Sequence, residues 1–446
     1  MDIVNIVERG LKKACLLGAS EAEVFVVKES STSILGTVKG LENIECGESI
    51  SVSIRLAIGK RITIQTGVLS REEDIDKMVE DAIKIVRVVP EDKDWVSLPK
   101  SLAKTPVYDV IDGRIKEPNL EVFVDFVKRG LEQPKEIDRR VYTTMARAGL
   151  SYITKAIGNT NYSPILSEKT LFSYIVMVKA VGDGEETGYY NYYTAPTLNE
   201  FRLDRVVEDA VRIAIVTLKA RAIGTGSYQI LFTPRVFATI LTSLIVPAVR
   251  ADTVIKNRSP LKGKLYSEVL SEKLTIIDDG GAPNMPASSE FDDEGVATAR
   301  KTVFDRGVLV TYLYDTYTAN IDGKTSTGNA RRTSSLVYPD ATNTIVLPGT
   351  ESIESIARDI KRGVVVYGTI GEWLSNPVSG YLNATVTNGV YIENGEEKHA
   401  VKGMVISGNI YVLLGKEIIA VSKEYEHIGN AITPSILVDR VSVAGK

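Results

Sequence analysis

His399 and His427 are the only two histidines in a chain of 446 residues, and that scarcity bears on almost every hydrolytic chemistry the chain might carry out. A catalytic zinc usually takes three protein ligands, and a pair of histidines on one helical face is the common way to present two of them. The patterns HExxH, HxxEH and HExxxH are all absent. His399 lies in the polar run GEEKHA (395–400), where a solvated ring is the favoured reading. His427 has Glu424 and Glu426 close by; these would raise its pKa or help to hold a metal, but surface pairing accounts for them more simply. GxSxG is missing, so no serine triad assembles. Gly224-Thr225-Gly226 leads into a strand without a P-loop lysine, which makes it a turn.

Carboxylates cluster at Asp278-Asp279 and at Asp292-Asp293-Glu294. Such groups can hold a hard cation or share a proton. The adjoining Gly280 and Gly295 mark loop geometry, however, and turn formation is the favoured account. Tyr189, Tyr190, Tyr192 and Tyr193 form a dense aromatic group. It would grip an extended polypeptide by stacking and hydroxyl hydrogen bonds, or pack across a sheet, and both readings stay open.

The elements that must position these residues follow from periodicity. Val4, Val7, Leu11 and Cys15 recur at helical spacing over residues 2–17, placing Cys15 on the apolar face, and a strand over 21–28 follows. Ile50, Val52, Ile54, Leu56 and Ile58 alternate, Gly59-Lys60 offers a tight turn, and Ile62 and Ile64 resume the alternation, which predicts a hairpin. Ser70 and Glu73 form a capping box before a helix carrying Ile75, Val79, Ala82 and Val86. Residues 89–118 carry several prolines and no period, as expected of a linker or irregular crossing. A helix near Val122–Val127, strands over 141–148, 150–157 and 171–180, and a helix over 198–218 make up a middle region. Beyond Gly224 short strands dominate, interrupted by helices starting at Pro234, with Thr233 as cap, and over 352–362. The expected class is α+β: an N-terminal α/β region with an antiparallel hairpin and a C-terminal mainly-β domain. The expected divisions are 1–90, 91–218 and 219–446.

Composition narrows the partners. Apolar residues make up 44 % and charged residues 25 %, with a net charge of -4, so bulk charge suggests neither nucleic acid nor an acidic membrane as a partner. No apolar run approaches the roughly 20 residues that span a bilayer, and residues 1–17 mix charge with apolar positions, unlike a signal peptide. A cytoplasmic protein is expected. Cys15 and Cys46 are the only cysteines, and they read as isolated small hydrophobes, with no disulfide framework.

The run RSPLKGKLYSEVLSEKLTIIDDG (258–280) resembles a signature of the TldD/TldE (PmbA) family, and FDDEG (291–295), KTSTGNA (324–330), NPVSG (376–380), IENG (392–395) and VSVAG (441–445) follow as similar blocks in order. GASEAEV (18–24) and the hairpin after Ser49 also look like it, so the resemblance covers nearly the full chain. In this family the TldD member carries HExxxH on a helix and a downstream cysteine, which hold the metal of a peptidase that cuts unfolded peptides. The corresponding helix here is PRVFATILTSLI (234–245), and the corresponding C-terminal stretch is EHIGNAI (426–432). Neither supplies those ligands, a departure that matches the TldE branch, so no catalytic or metal-binding residue is carried over.

The resemblance implies a non-catalytic subunit that joins a TldD-like chain in a heterodimer, with zinc expected in that partner, no cofactor in this chain and an unfolded peptide as substrate. A homodimer in the partner's absence is compatible with it. Two alternatives stand beside it. One is a stand-alone hydrolase with a divalent cation on Asp278, Asp279, Asp292 and Asp293. The other is a regulatory binding protein without proteolysis, in line with the family's label as a modulator of DNA gyrase, though near-neutral charge argues against direct nucleic-acid binding. Candidates for a partner or substrate cleft are Tyr189, Tyr190, Tyr192, Tyr193, Asp292, Asp293, Glu294, Asn329 and Arg331, because polar loop residues and clustered aromatics often serve interaction.

Overall fold

Alternation of apolar and polar residues over six long segments builds the N-terminal sheet. The computed structural model describes residues 1–445. The strands β1 (Glu21–Thr37), β2 (Gly40–Ile58), β3 (Arg61–Val68), β4 (Val141–Asn159), β5 (Tyr162–Gly182) and β6 (Glu185–Ala195) pair antiparallel in the order β3-β2-β1-β4-β5-β6. The predicted hairpin is β2–β3, with Ile58 opposite Arg61. Helices cover one face only. α1 (Ile3–Leu16) and α2 (Asp74–Val86) bury Ile6, Val7, Ile75 and Val79 against Val24, Val26, Ile54 and Leu56. Beyond a single turn, α3 (Gly113–Lys116), come α4 (Leu120–Ile137) and α5 (Leu203–Val216), which bury Phe123, Val127, Val207 and Ala210 against Phe172, Tyr174 and Val176. Around Ser51, Lys155 and Lys169 the opposite face carries no helix and meets the C-terminal half instead, where Lys155 and Lys169 donate to the Phe291 and Pro286 carbonyls.

Strands from 1–90 and from 91–218 share one sheet, because β4 pairs with β1 from Glu23 opposite Asn159 to Thr37 opposite Met145. Local periodicity cannot reveal a pairing across more than a hundred residues. The long crossing before α4 is irregular apart from α3, and it touches the C-terminal half where the Ala103 and Thr105 amides donate to the Gly295 and Glu290 carbonyls.

The C-terminal half forms an eleven-stranded sheet from β7 (Gly226–Phe232), β8 (Ile276–Asp279), β9 (Arg300–Asp305), β10 (Val308–Leu309), β13 (Thr344–Val346), β14 (Arg362–Ile370), β15 (Tyr381–Glu393), β16 (Glu396–Val401), β17 (Val405–Asn409), β18 (Ile418–Ile428) and β19 (Ala431–Ala444). A separate two-stranded ribbon pairs β11 (Ala330–Arg332) with β12 (Val337–Pro339). β7, β14, β15, β17 and β19 pair in a closed circuit, and closure removes exposed edges. Into the same core packs the segment after β7, made of α6 (Pro234–Ile240), a π turn (Leu241–Ile245) and α7 (Val246–Val249). Its Val236, Phe237, Ile240, Leu244 and Ile245 meet Phe232, Val366, Ile436 and Val438.

Several local expectations are corrected. α2 starts without a side-chain cap; instead the Asp74 carboxylate accepts the Arg71 amide. Thr233 donates its hydroxyl to the Val366 carbonyl and does not cap α6. The helix expected over 352–362 ends at Arg358, because Arg362 and Gly363 already belong to β14. Cys15 and Cys46 are both exposed, so neither acts as a core hydrophobe. Among the described residues, no helix is long and apolar enough to cross a membrane.

Candidate functional site

Strand β6 turns successive tyrosines to different neighbours. Tyr193 packs in the core, with its ring centroid 5.3 Å from Phe201 and 6.3 Å from Phe172. Tyr189, Tyr190 and Tyr192 instead surround Arg235, the second residue of α6. Its guanidinium carbon lies 5.5, 4.8 and 4.5 Å from their ring centroids. Arg235 Nη2 donates to Asn191 Oδ1 at 2.7 Å, while Nη1 is buried without a hydrogen-bond partner. Aromatic faces thus take the place of a carboxylate partner for this cation. Cavities open on either side. One, of about 520 Å³, is lined by Tyr189, Arg212, Arg235, Tyr367, Glu424 and Glu426. The other, of about 450 Å³, is lined by Tyr190, Arg235, Thr239 and the exposed Trp373.

The two segments aligned above with the family's metal ligands therefore meet in space, since Pro234 and Arg235 face Glu424, Tyr425 and Glu426 across the first cavity. The donor set does not fit a zinc ion. Arg235 offers a permanent positive charge and no lone pair, and a guanidinium is not deprotonated in proteins. Burial, reinforced by Asp209, pushes the Glu426 carboxyl upward toward its neutral form. The imidazole of His427 stands 3.8 Å from the Glu200 carboxylate and does not line this cavity. Among the described residues no three His, Cys, Asp or Glu side chains group so as to hold a metal.

The acidic loops are engaged elsewhere. Asp278 Oδ1 accepts from the amide and hydroxyl of Thr342, and its Oδ2 accepts from Lys301 Nζ at 2.9 Å and Asn329 Nδ2 at 2.7 Å. Asp279 is bonded by the Gly281 amide and Arg300. Asp292 accepts three backbone amides, from Glu294, Val296 and Ala330. Glu294 is paired with Arg55 at 2.7 Å and accepts the Thr316 amide. Asp278, Asp279 and Asp292 thus fasten loops to one another, with protein donors on the oxygens a cation would need, and Asp293 accepts the Arg332 amide and stands 3.8 Å from Lys155. This corrects the stand-alone cation reading.

The sequence candidates fall into separate places. Tyr189, Tyr190 and Tyr192 gather at Arg235 and Tyr193 does not, whereas Asp293 and Arg331 reach a third cavity, of about 560 Å³, against the helix-free face of the N-terminal sheet. Asn329 and Glu294 are buried and turned to structural bonds. Sequence reasoning passed over Arg235, Arg55, Lys155 and Lys169, and took Glu426 only as a neighbour of His427. One signal was available for Lys155: it interrupts Ile153 and Ile157 in a strand whose alternate positions are apolar.

Comparison with known proteins agrees with this architecture. A family model described as the PmbA/TldA metallopeptidase C-terminal domain matches residues 225–445, and one described as PmbA/TldA metallopeptidase domain 1 matches residues 22–86. The chain is 25 % identical to the metalloprotease PmbA homolog of Haemophilus influenzae, covering 100 % of this chain and 96 % of that protein. Its structure is similar to that of TldE from Thermococcus kodakarensis, with a TM-score of 0.91 at 24 % identity, covering 99 % of this chain and 100 % of that one. It is also similar to a Thermotoga maritima protein described as a proposed modulator of a DNA gyrase, with a TM-score of 0.87 at 26 % identity over 99 % and 100 % of the two chains.

Proposed function

Because the chain belongs to the PmbA/TldD metallopeptidase family, we propose that it is the non-catalytic subunit of a two-chain peptidase, acting in the cytoplasm beside a TldD-like partner that supplies the zinc. One observation carries this reading. Arg235, held by Tyr189, Tyr190 and Tyr192, stands at the start of the helix on which the partner branch would carry its histidines. A fixed guanidinium repels a dication and cannot activate water, whereas its aromatic cage makes a rigid, well-filled wall. The chain's share of the work is steric: by helping to enclose the partner's site it restricts cleavage to unfolded chains, which can thread where a folded domain cannot.

Co-expression with a TldD-like chain from the same organism, followed by gel filtration, metal analysis and digestion of an unfolded protein, tests this. The complex is expected to cleave and to contain about one zinc per pair, while the isolated chain, alone or as a homodimer, does neither. Peptide cleavage by the isolated chain with a stoichiometric metal would overturn the proposal. A regulatory role without proteolysis draws on the description of the Thermotoga maritima relative, and a salt-sensitive shift of duplex DNA by the pure chain would favour it instead.

A further inference from the structure

The third cavity, of about 560 Å³, has no part in the chemistry considered so far. Its floor is the helix-free sheet face. Lys155 on β4 lies opposite Ser167 on β5, and Ile153 lies opposite Lys169, so the two lysines stand diagonally on adjacent strands and point to the same side. Its roof is the loop before β9 and the ribbon strand β11, which bring Asp293 and Arg331.

These cations are poorly matched. Lys155 Nζ donates to the Phe291 carbonyl at 2.7 Å and lies 3.8 Å from the Asp293 carboxylate. Lys169 Nζ donates only to the Pro286 carbonyl, at 3.0 Å. Among the described residues neither Lys169 nor Arg331 forms an ion pair. Asp293 also accepts the Arg332 amide; of the other charged groups on the lining, Glu168 is engaged by Tyr152 and Lys116 and Arg332 by Glu23, so Asp293 is the carboxylate left to face Lys155, Lys169 and Arg331. Phe25, Val27 and Ile153 form an apolar wall beside them, and the hydroxyls of Ser51, Ser167 and Ser289 line the remainder. A monoanion attached to an apolar body fits this combination, whereas Asp293 disfavours a compact dianion.

We propose that this cavity binds the C-terminal carboxylate of an extended peptide, with Lys155, Lys169 and Arg331 on the carboxylate and the last side chain against Phe25, Val27 and Ile153. The proposal rests on the reading of the chain as a peptidase subunit, which makes a peptide the source of the anion. The serine hydroxyls bond the terminal peptide amide. Burial, together with Lys155 and Arg331, pushes the Lys169 ammonium down to about 8. The charged groups facing it are Lys155 on β4, Arg331 on β11, Asp293 in the roof loop and Glu29 on β1. Neutral Lys169 no longer attracts an anion, so affinity falls as the pH rises from 7 to 9.

Isothermal titration of the isolated full-length chain at pH 7 tests the site, using an acetylated six-residue peptide ending in a free-acid leucine, the same peptide as its amide, and inorganic phosphate. The free acid is expected to bind about tenfold more tightly than the amide, the value of one charge-assisted contact. Lys169→Gln should remove most of that preference. Arg331→Gln should do the same, and Arg331 is exposed, so this variant keeps its fold. Equal affinity for acid and amide, binding of phosphate without binding of peptide, or an unchanged preference in Arg331→Gln would overturn the proposal. Failure of cleavage in the two-chain assay with this preference intact would remove the proposed function and leave the site standing.

Discussion

Arg235 shows how a single side chain settles what its neighbourhood can do. Three tyrosine rings and one amide oxygen hold a charge that has no carboxylate partner, and partly desolvated cation–π contacts of this kind contribute about 1–2 kcal/mol. Arg235→Met, which keeps the volume and removes the charge, should therefore lower stability by about that amount in urea unfolding. Asp292 is a second case. Its two oxygens accept three amides, so above about pH 8, where the carboxylate is ionised, Asp292→Asn turns an NH₂ group toward an N–H donor and should cost about 1–3 kcal/mol. Burial and the adjacent Glu294 raise the Asp292 carboxyl to about 8, and the same causes raise Asp315 to about 7. A carboxyl raised on folding binds its proton more tightly in the folded state. Its stabilising contribution is thus complete below the ordinary carboxylate range and is lost as pH rises through 7 and 8. The urea midpoint should fall between pH 6 and 8.5, and Asp292→Asn should flatten that slope.

At the scale of elements, three of the blocks that carry the family resemblance, KTSTGNA, IENG and VSVAG, prove to be close crossings of backbone. In KTSTGNA, Gly328 has φ +69°, and a Cβ there would stand 2.3 Å from the Ala297 carbonyl oxygen. The next residue, Asn329, bonds Asp278 and the Asp340 carbonyl, so glycine permits the approach and asparagine locks it. Gly328→Ala should destabilise by more than about 2 kcal/mol, combining left-handed strain with a backbone clash. A lowered thermal midpoint or insoluble expression is the expected readout. α6 behaves differently. Its apolar run reads as one continuous helix, yet a π turn divides it at Leu241–Ile245, because tertiary packing inside the closed circuit of strands overrides local propensity.

Over the whole molecule, a buried ionic network ties the two halves together. Arg55 on β2 pairs with Glu23 on β1 at 3.0 Å and with Glu294 of the C-terminal half at 2.7 Å. Arg332 on β11 reaches back to Glu23 and to Ser53. Arg55→Met leaves two buried carboxylates without their shared cation, a change expected to cost about 3–5 kcal/mol; in calorimetry the two halves should then melt less cooperatively. Nothing in sequence spacing announces this network, since its members lie up to 309 positions apart. The alternation of Ile50 through Ile64 and the helical stripes of α1 and α2 were legible in the chain alone, because strand and helix periods are local properties of neighbouring residues. So was the absence of a histidine pair on one helix, because spacing along the chain fixes which residues share a helical face. Only the tertiary structure decided that β4 lies beside β1, that Asp278 and Asp292 bond loops and leave no oxygen for a cation, and that Arg235 meets three tyrosines. Each of these depends on which distant segments pack together, and the burial of apolar faces that drives such packing selects partners by shape and area over the entire chain, with no mark in the local sequence.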